Sequence, residues 1–210
     1  MPEILVICTA NVCRSPSAAA ALAVSLAGGD RAGWHVTSAG IRASEGSSAC
    51  PLALDEVEPA QRGALESHHA QQLTRELVAD ADLVVTAELT HRAAVARLDP
   101  RAAQRTFTLL EAARLVPLAA QRLRAEGMDA DPDLDALVRT MHELRPTLPQ
   151  VSGSERSGWF RRGARIDAMS PLDIPDGHGL GKREHHRAVA ASIEAASEIA
   201  RGIGAVRVPA

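Results

Sequence analysis

Tyrosine is absent from this chain of 210 residues, and two Trp and two Phe complete its aromatic set. With so few rings the chain has no stacking surface for single-stranded nucleic acid, and the formal net charge of −3 points the same way. Alanine, leucine and valine must fill the core. No run approaches the roughly 18 consecutive apolar residues of a membrane span. The opening Met-Pro-Glu lacks the basic stretch and long apolar segment of a secretory signal. Cysteine is scarce and odd in number, at positions 8, 13 and 50, which argues against a disulfide framework and for thiols kept reduced for chemistry or packing. The expected location is the cytoplasm. What remains, 46% apolar and 23% charged residues, is the balance of a globular chain rather than a disordered or collagen-like one. Its length is roughly 1.4 times that of a common domain, so the expected organisation is a single domain, 1–210, carrying an insertion.

The hydrophobic pattern alternates in kind along the chain. Residues 3–8 (Glu-Ile-Leu-Val-Ile-Cys) read as a strand buried on both faces. An alanine-rich helix follows at 17–27, with Ser15 as its cap and Pro16 in the first helical position. Further strands are expected at 34–38, 82–86 and 105–109, and helices at 55–65, 68–79 and 89–97. Beyond these come helices at 110–127 and 133–144, a Gly/Ser/Arg-rich loop at 146–165 and a last helix at 184–202. The order βαβαβαβ with right-handed crossovers predicts an α/β fold, an open four-stranded parallel sheet with helices on both faces. In such sheets ligands bind at the carboxyl ends of the strands. The loop after the first strand is therefore the place to look.

That loop reads Cys8-Thr9-Ala10-Asn11-Val12-Cys13-Arg14-Ser15-Pro16. Its cysteine ends a buried strand and its arginine opens a helix, whose free N–H groups and dipole favour an anion. Five intervening residues suffice for a nest of inward-pointing amides that suits phosphate-like oxyanions. Arg14 adds a planar fork to the same oxygens. The helix N-terminus and the guanidinium both stabilise a thiolate on Cys8.

At this point the chain resembles the low-molecular-weight protein tyrosine phosphatases. The likeness rests on 8–16, on Ser38-Ala39-Gly40, on Ala81-Asp82-Leu83 and on Asp173-Ile174-Pro175-Asp176, and covers residues 1–110 and 168–205. It implies a three-layer fold and hydrolysis through a phosphocysteine on Cys8. Arg14 then holds the phosphoryl group, while Thr9, Ala10, Asn11, Val12, Cys13, Arg14 and Ser15 form the phosphate-binding loop. Ser15 donates to the thiolate, and Asn11, backed by Ser38, fixes the loop. Asp176 protonates the leaving oxygen and then activates water. The implied substrate is a phosphorylated protein or a small phosphomonoester, with no cofactor, no metal, and neither nucleic acid nor membrane as partner. In the family the acid is normally followed by Pro and an aromatic residue, and another aromatic stands shortly after the Ser-Ala-Gly. Here those places hold Gly177-His178 and Arg42-Ala43-Ser44, so the walls that sandwich a phosphotyrosine ring are missing.

Other readings stand beside these. Cys13 has two: by resemblance, a partner that shields Cys8 as a disulfide, or packing alone. Asp131-Pro132 and Asp99-Pro100 compete with Asp176 for the acid, but only Asp176 lies just before the last helix. The eight histidines, including the pairs 68–69 and 185–186, lack i,i+4 metal-ligand spacing and read as solvated helix faces. Arg156, Arg161, Arg162 and Arg165 surround Trp159-Phe160 on a segment expected to lean over the site within an insertion at 112–167. Two rival functions use the same loop: thiol-dependent arsenate reduction, which needs two more thiols in relay although 51–210 holds no Cys, and a phosphate-binding module without turnover.

Overall fold

In the computed structural model, which describes residues 1–27, 33–127, 134–148 and 170–205, four parallel strands form one sheet. They are β1 (Glu3–Cys8), β2 (His35–Gly40), β3 (Leu83–Thr86) and β4 (Thr106–Thr108), in the order β2-β1-β3-β4. Alternation along the strands decides which layer each side chain joins. Ile4 and Val6 of β1 and Leu83 and Val85 of β3 face one core, whereas Leu5, Ile7 and Val84 face the other. Both faces of Ile4–Ile7 and of Leu83–Val85 are apolar and buried, which is why these stretches read as continuous hydrophobic runs.

The first layer holds α1 (Arg14–Ala27), α6 (Leu109–Ala125), α7 (Leu134–Leu144) and α8 (Lys182–Ala205). The opposite layer is built by α4 (Arg75–Asp80), α5 (Leu89–Leu98) and a 3₁₀ turn at Pro100–Arg105. Two short helices, α2 (Pro51–Leu54) and α3 (Pro59–Glu66), close a third cluster with Cys13, Ala20 and Val189. The sheet order reverses between β1 and β3, the switch point at which open parallel sheets form a crevice.

The expected architecture is present, with local corrections that have physical causes. The helix foreseen at 68–79 is confined to Arg75–Asp80, because Thr74 caps it by accepting from Leu77 N at 3.3 Å. The residues ahead of it are extended, with Gln72 bridged to Gly40 and His69 to Ser48. Ser15 does not cap α1. The helix begins at Arg14 and its first bond runs from Ser17 N to the Cys13 carbonyl at 3.1 Å, because the Ser15 hydroxyl is spent on Cys8. The described part of the expected insertion does not lean over the loop after β1. Instead α6 and α7 fill the main core beside β3, β4 and α8. Thr108 and Glu111 cap α6 reciprocally, and Arg145 stacks over Phe107 at 4.2 Å from the ring centroid. Trp159, Phe160 and the four arginines around them lie outside the described residues.

Candidate active site

The chain leaves β1 at Cys8 and enters α1 at Arg14, so residues 9–13 must turn sharply at the carboxyl edge of the sheet. The carbonyls of this loop are tied to partners outside it. Cys8 O accepts from Ile41 N (3.0 Å), Thr9 O from Arg42 N (2.8 Å) and Val12 O from Cys50 N (2.7 Å). Asn11 O meets His68 Nε2 at 2.7 Å. Outward carbonyls leave the intervening amides on the inner side, and Asn11 N points at Cys8 Sγ at 3.3 Å. Asn11 also carries a positive φ of 56°, a conformation its short amide tolerates better than most side chains. That amide is pinned on all sides: Nδ2 donates to Ser15 Oγ (3.0 Å) and Ser38 Oγ (2.8 Å), and Oδ1 accepts from Gln71 N (2.9 Å). Ser15 Oγ lies 3.0 Å from Cys8 Sγ.

Gly40 at the end of β2 is what lets this loop sit so close. A Cβ there would lie 2.8 Å from Thr9 O and 2.9 Å from Asn11 N, both backbone atoms.

Arg14 is only 3% exposed, and each end of its fork is occupied. Nη1 donates to Glu88 and to Ile174 O (2.8 Å), while Nη2 reaches Thr9 Oγ1 (3.2 Å) and Asp176 Oδ2 (2.9 Å). The acid segment is held to β3 by Ile174 N, which donates to Ala87 O, and by Asp173 Oδ1, which accepts from Leu89 N at 2.7 Å. Asp176 remains nearly half exposed and caps a 3₁₀ turn, Gly177–Gly179, by accepting from His178 N at 3.0 Å. Asp99, the competing acid, is buried elsewhere as the cap of its own turn, accepting from Arg101 N. Asp131 lies outside the described residues.

The structure thus brings Cys8, Asn11, Arg14, Ser15, Ser38 and Asp176 together, and it adds groups that the sequence did not disclose. Glu88 and His91 follow β3, at the carboxyl edge where ligand-binding residues gather; that position was the available signal. Burial, outweighing the attraction of Glu88, lowers His91 to about 4, so its ring is neutral. Because Glu88 N donates to Nδ1 at 3.1 Å, the ring proton sits on Nε2 and is donated to Thr9 Oγ1, 3.0 Å away. Thr9 Oγ1 therefore accepts twice and has its own proton to give. His68 is likewise held below the ordinary histidine range by burial.

Two of the histidines depart from the expected solvated faces, whereas His35, His69 and His178 are exposed. His91 is 1% exposed and His185 is 3% exposed. Cys13 contributes its backbone to the loop, but its side chain turns to the far side, where Sγ meets His178 Nε2 at 2.7 Å and His185 Nε2 at 3.3 Å. Burial, reinforced by the neighbouring Cys50, pushes the Cys13 thiol well above its ordinary value.

Among the described residues no helix is long and apolar enough to cross a membrane. Residues 3–116 match the family model described as low molecular weight phosphotyrosine protein phosphatase. The chain is 36% identical over 106 residues to the probable low molecular weight protein-tyrosine-phosphatase AmsI of Erwinia amylovora, covering 50% of this chain and 69% of that protein. It is 35% identical over 109 residues to the protein-arginine-phosphatase of Bacillus subtilis, covering 52% and 71%. The solved structure of Vibrio vulnificus Wzb in complex with benzylphosphonate superposes with a TM-score of 0.57 over 95% of this chain and 97% of that one, at 22% identity, which speaks to the fold. The matched stretch spans more than half of the sequence and includes the whole loop from Cys8 to Ser15, and so the chain belongs to the low molecular weight phosphotyrosine protein phosphatases, a family of cysteine-dependent phosphatases.

Proposed function

We propose that the whole chain acts as one domain that removes phosphoryl groups from phosphorylated protein side chains, with Cys8 as nucleophile, Arg14 as phosphate clamp and Asp176 as acid and base. The observation that carries this reading is the convergence on one loop of a sulfur receiving Asn11 N and Ser15 Oγ with a guanidinium that already holds the Asp176 carboxylate at 2.9 Å.

In the first step the Cys8 thiolate attacks phosphorus, the bond to the leaving oxygen breaks, and Asp176 delivers its proton to that oxygen. The phosphoryl oxygens lie among the loop amides and the Arg14 fork. A phosphate dianion competes with Asp176 for the same face of Arg14, which frees the carboxyl group to turn toward the leaving oxygen. Glu88 and Ile174 O keep hold of Nη1, so the guanidinium stays in place while Nη2 changes partners. The Thr9 hydroxyl donates a hydrogen bond to a phosphoryl oxygen. In the second step Asp176 takes a proton from water, which attacks the phosphocysteine. Phosphate leaves and the Cys8 thiolate returns. A nucleophilic thiolate needs a reducing compartment, which supports the cytoplasm as its place of work.

The substrate side of the loop has no aromatic wall at the places expected for one, since Ser44 is exposed and His178 is turned to Cys13. Each missing stacking contact is worth roughly 0.5–1.5 kcal/mol, so the loss of two removes about ten- to a hundredfold of preference for phosphotyrosine and leaves weak discrimination among phosphorylated side chains. The test is a panel of phosphotyrosyl, phosphoarginyl and phosphoseryl peptides with sugar phosphates as controls. Turnover of the peptides with a flat preference supports the reading; hydrolysis of the sugar phosphates alone overturns it.

A further inference from the structure

We propose that Cys13, Cys50, His178 and His185 form a four-ligand site for a soft, zinc-class divalent cation on the side of the phosphate loop that faces away from substrate. Their ligand atoms all lie within 4.8 Å of one another. Each comes from a different segment: the phosphate loop, the residue before α2, the turn that follows Asp176, and the first turn of α8. Nothing local in the sequence announces such a set.

The distances describe a cluster closing on a common point. Cys13 Sγ to His178 Nε2 is 2.7 Å, Cys13 Sγ to His185 Nε2 is 3.3 Å, and Cys50 Sγ to His185 Nε2 is 3.6 Å. Around a tetrahedral zinc, with Zn–S about 2.3 Å and Zn–N about 2.0–2.1 Å, a sulfur and a nitrogen stand about 3.6 Å apart. Two of the three pairs are near that spacing, and the third would open to admit an ion. Its present length suits an N–H···O bond rather than one to the larger sulfur. The two imidazoles meet edge to face with centroids 4.5 Å apart. Among the described residues His185 Nδ1 is buried without a hydrogen-bond partner, so the polar contacts of that ring run through Nε2, the atom that faces both sulfurs.

Backbone packing serves the same juxtaposition. Gly177 is pressed against α8 so closely that a Cβ would lie 2.3 Å from His185 Cα and 2.7 Å from Glu184 O. No larger residue could bring position 178 up to position 185 in this way. The surroundings of Cys13 are otherwise small and apolar: Ala20, Ala49, Ala53 and Val189.

The donor set decides the ion. Two thiolates and two imidazoles select zinc over the hard cations magnesium and calcium, which take oxygen. Four protein ligands leave no open position, so the site is structural rather than water-activating. On binding, each thiol releases its proton to solvent and the two thiolates neutralise the dication. The ion would then tie the turn that follows Asp176 to the loop that carries Cys8, and would remove Cys13 as a disulfide partner for Cys8 while it is bound.

The experiment uses untagged, reduced, metal-free protein titrated with zinc against a competing chelator, and with cobalt(II) as a spectroscopic stand-in. The expected result is one zinc per chain, and a cobalt complex with tetrahedral ligand-field bands plus sulfur-to-metal charge transfer of two-thiolate intensity. In Cys50→Ser that charge transfer falls to the one-thiolate level, and in His185→Gln it persists. Both variants lose more zinc affinity than the roughly 10–100-fold that follows from disturbing an outer partner of a ligand. The wild-type cobalt spectrum tests the proposal even if a variant fails to fold. An absence of stoichiometric zinc, an octahedral cobalt spectrum without charge transfer, or undiminished binding by Cys50→Ser overturns it. So does an unreduced protein that is wholly a Cys13–Cys50 disulfide and takes no zinc once reduced.

Discussion

The two faces of the loop from Cys8 to Ser15 are built from different chemistry, although the loop is only eight residues long. On the face toward Arg14, Cys8 Sγ meets Asn11 N and Ser15 Oγ, and behind them the Asn11 amide is locked to Ser38 and Gln71. On the opposite face Cys13 meets imidazoles and another thiol among small apolar residues. One face presents hydrogen-bonding groups; the other gathers soft ligand atoms. Two cysteines five residues apart differ in surroundings, because the turn of the loop points their side chains to opposite sides. Composition plays no part in that difference.

Substitutions at Cys8 and Arg14 should open the widest gap between the two faces. Cys8→Ser should reduce hydrolysis to background and still bind phosphate or vanadate, because the socket is made of amides and Arg14. Binding by isothermal titration beside turnover of p-nitrophenyl phosphate measures both, and near-normal turnover would remove the covalent mechanism. Arg14→Lys should lose about 10²–10³-fold in kcat, since a point charge cannot replace the fork that bridges Glu88 and the phosphate. Cys13→Ser, on the other face, should retain measurable turnover in the same assay.

The next effect separates chemistry from binding at Asp176. Asp176→Asn should slow turnover about 10²–10³-fold for poor leaving groups, and much less for activated aryl phosphates that need no proton. A rate loss independent of the leaving group would leave Asp176 as a partner of Arg14 and nothing more. The variant also loses the ion pair with Arg14, so phosphate should bind it at least as tightly as it binds wild type.

A smaller effect probes how the socket is held from behind. Gly40→Ala places a methyl against the backbone of Thr9, Ala10 and Asn11, and side chains cannot yield there because none are involved. A displacement of about 1 Å at the loop is enough for about 10²-fold in kcat/KM. An alanine variant with wild-type kinetics would show that the loop tolerates a shift away from β2.

How much of this was legible in the sequence depends on whether a feature is local. The strands at β1 and β3 announced themselves because both faces are buried, and the loop did so because Cys8 ends a strand while Arg14 opens a helix. The stretch 68–73 misled. Its pattern suits a helix, but its backbone is drawn into bridges with Gly40 and Ser48 and into the bond from Gln71 N to Asn11. Those partners are remote in sequence. Glu88 and His91 escaped notice for a related reason: nothing at 88–91 hints that Arg14, more than seventy residues earlier, needs a carboxylate. Cys13, Cys50, His178 and His185 are more dispersed still. The replacement of the family's usual residues after Asp176 by Gly177-His178 read as a loss of an aromatic wall. In the structure the same pair lets the turn meet α8 and points an imidazole at Cys13.

The smallest effect at neutral pH is expected at His91, where acid reveals what neutral conditions hide. Its ring is held at about 4 by burial, whereas an unfolded histidine titrates near 6.5. Between those values the unfolded chain binds a proton that the folded chain refuses, so stability falls as pH drops from about 6.5 toward 4 and is independent of this group above 6.5. The full difference is on the order of 3 kcal/mol. His91→Gln cannot titrate. At pH 7.5 it should cost only about 1–2 kcal/mol for the contacts to Thr9 and the Glu88 backbone, and its stability should then decline less steeply than that of wild type as pH is lowered. Urea unfolding of both proteins at pH 7.5, 6, 5 and 4.5 measures the slopes. Parallel curves would mean that the His91 ring accepts a proton in the folded state near its ordinary value. The second proton would then sit on Nδ1 and break the bond from Glu88 N, while Nε2 would go on donating to Thr9.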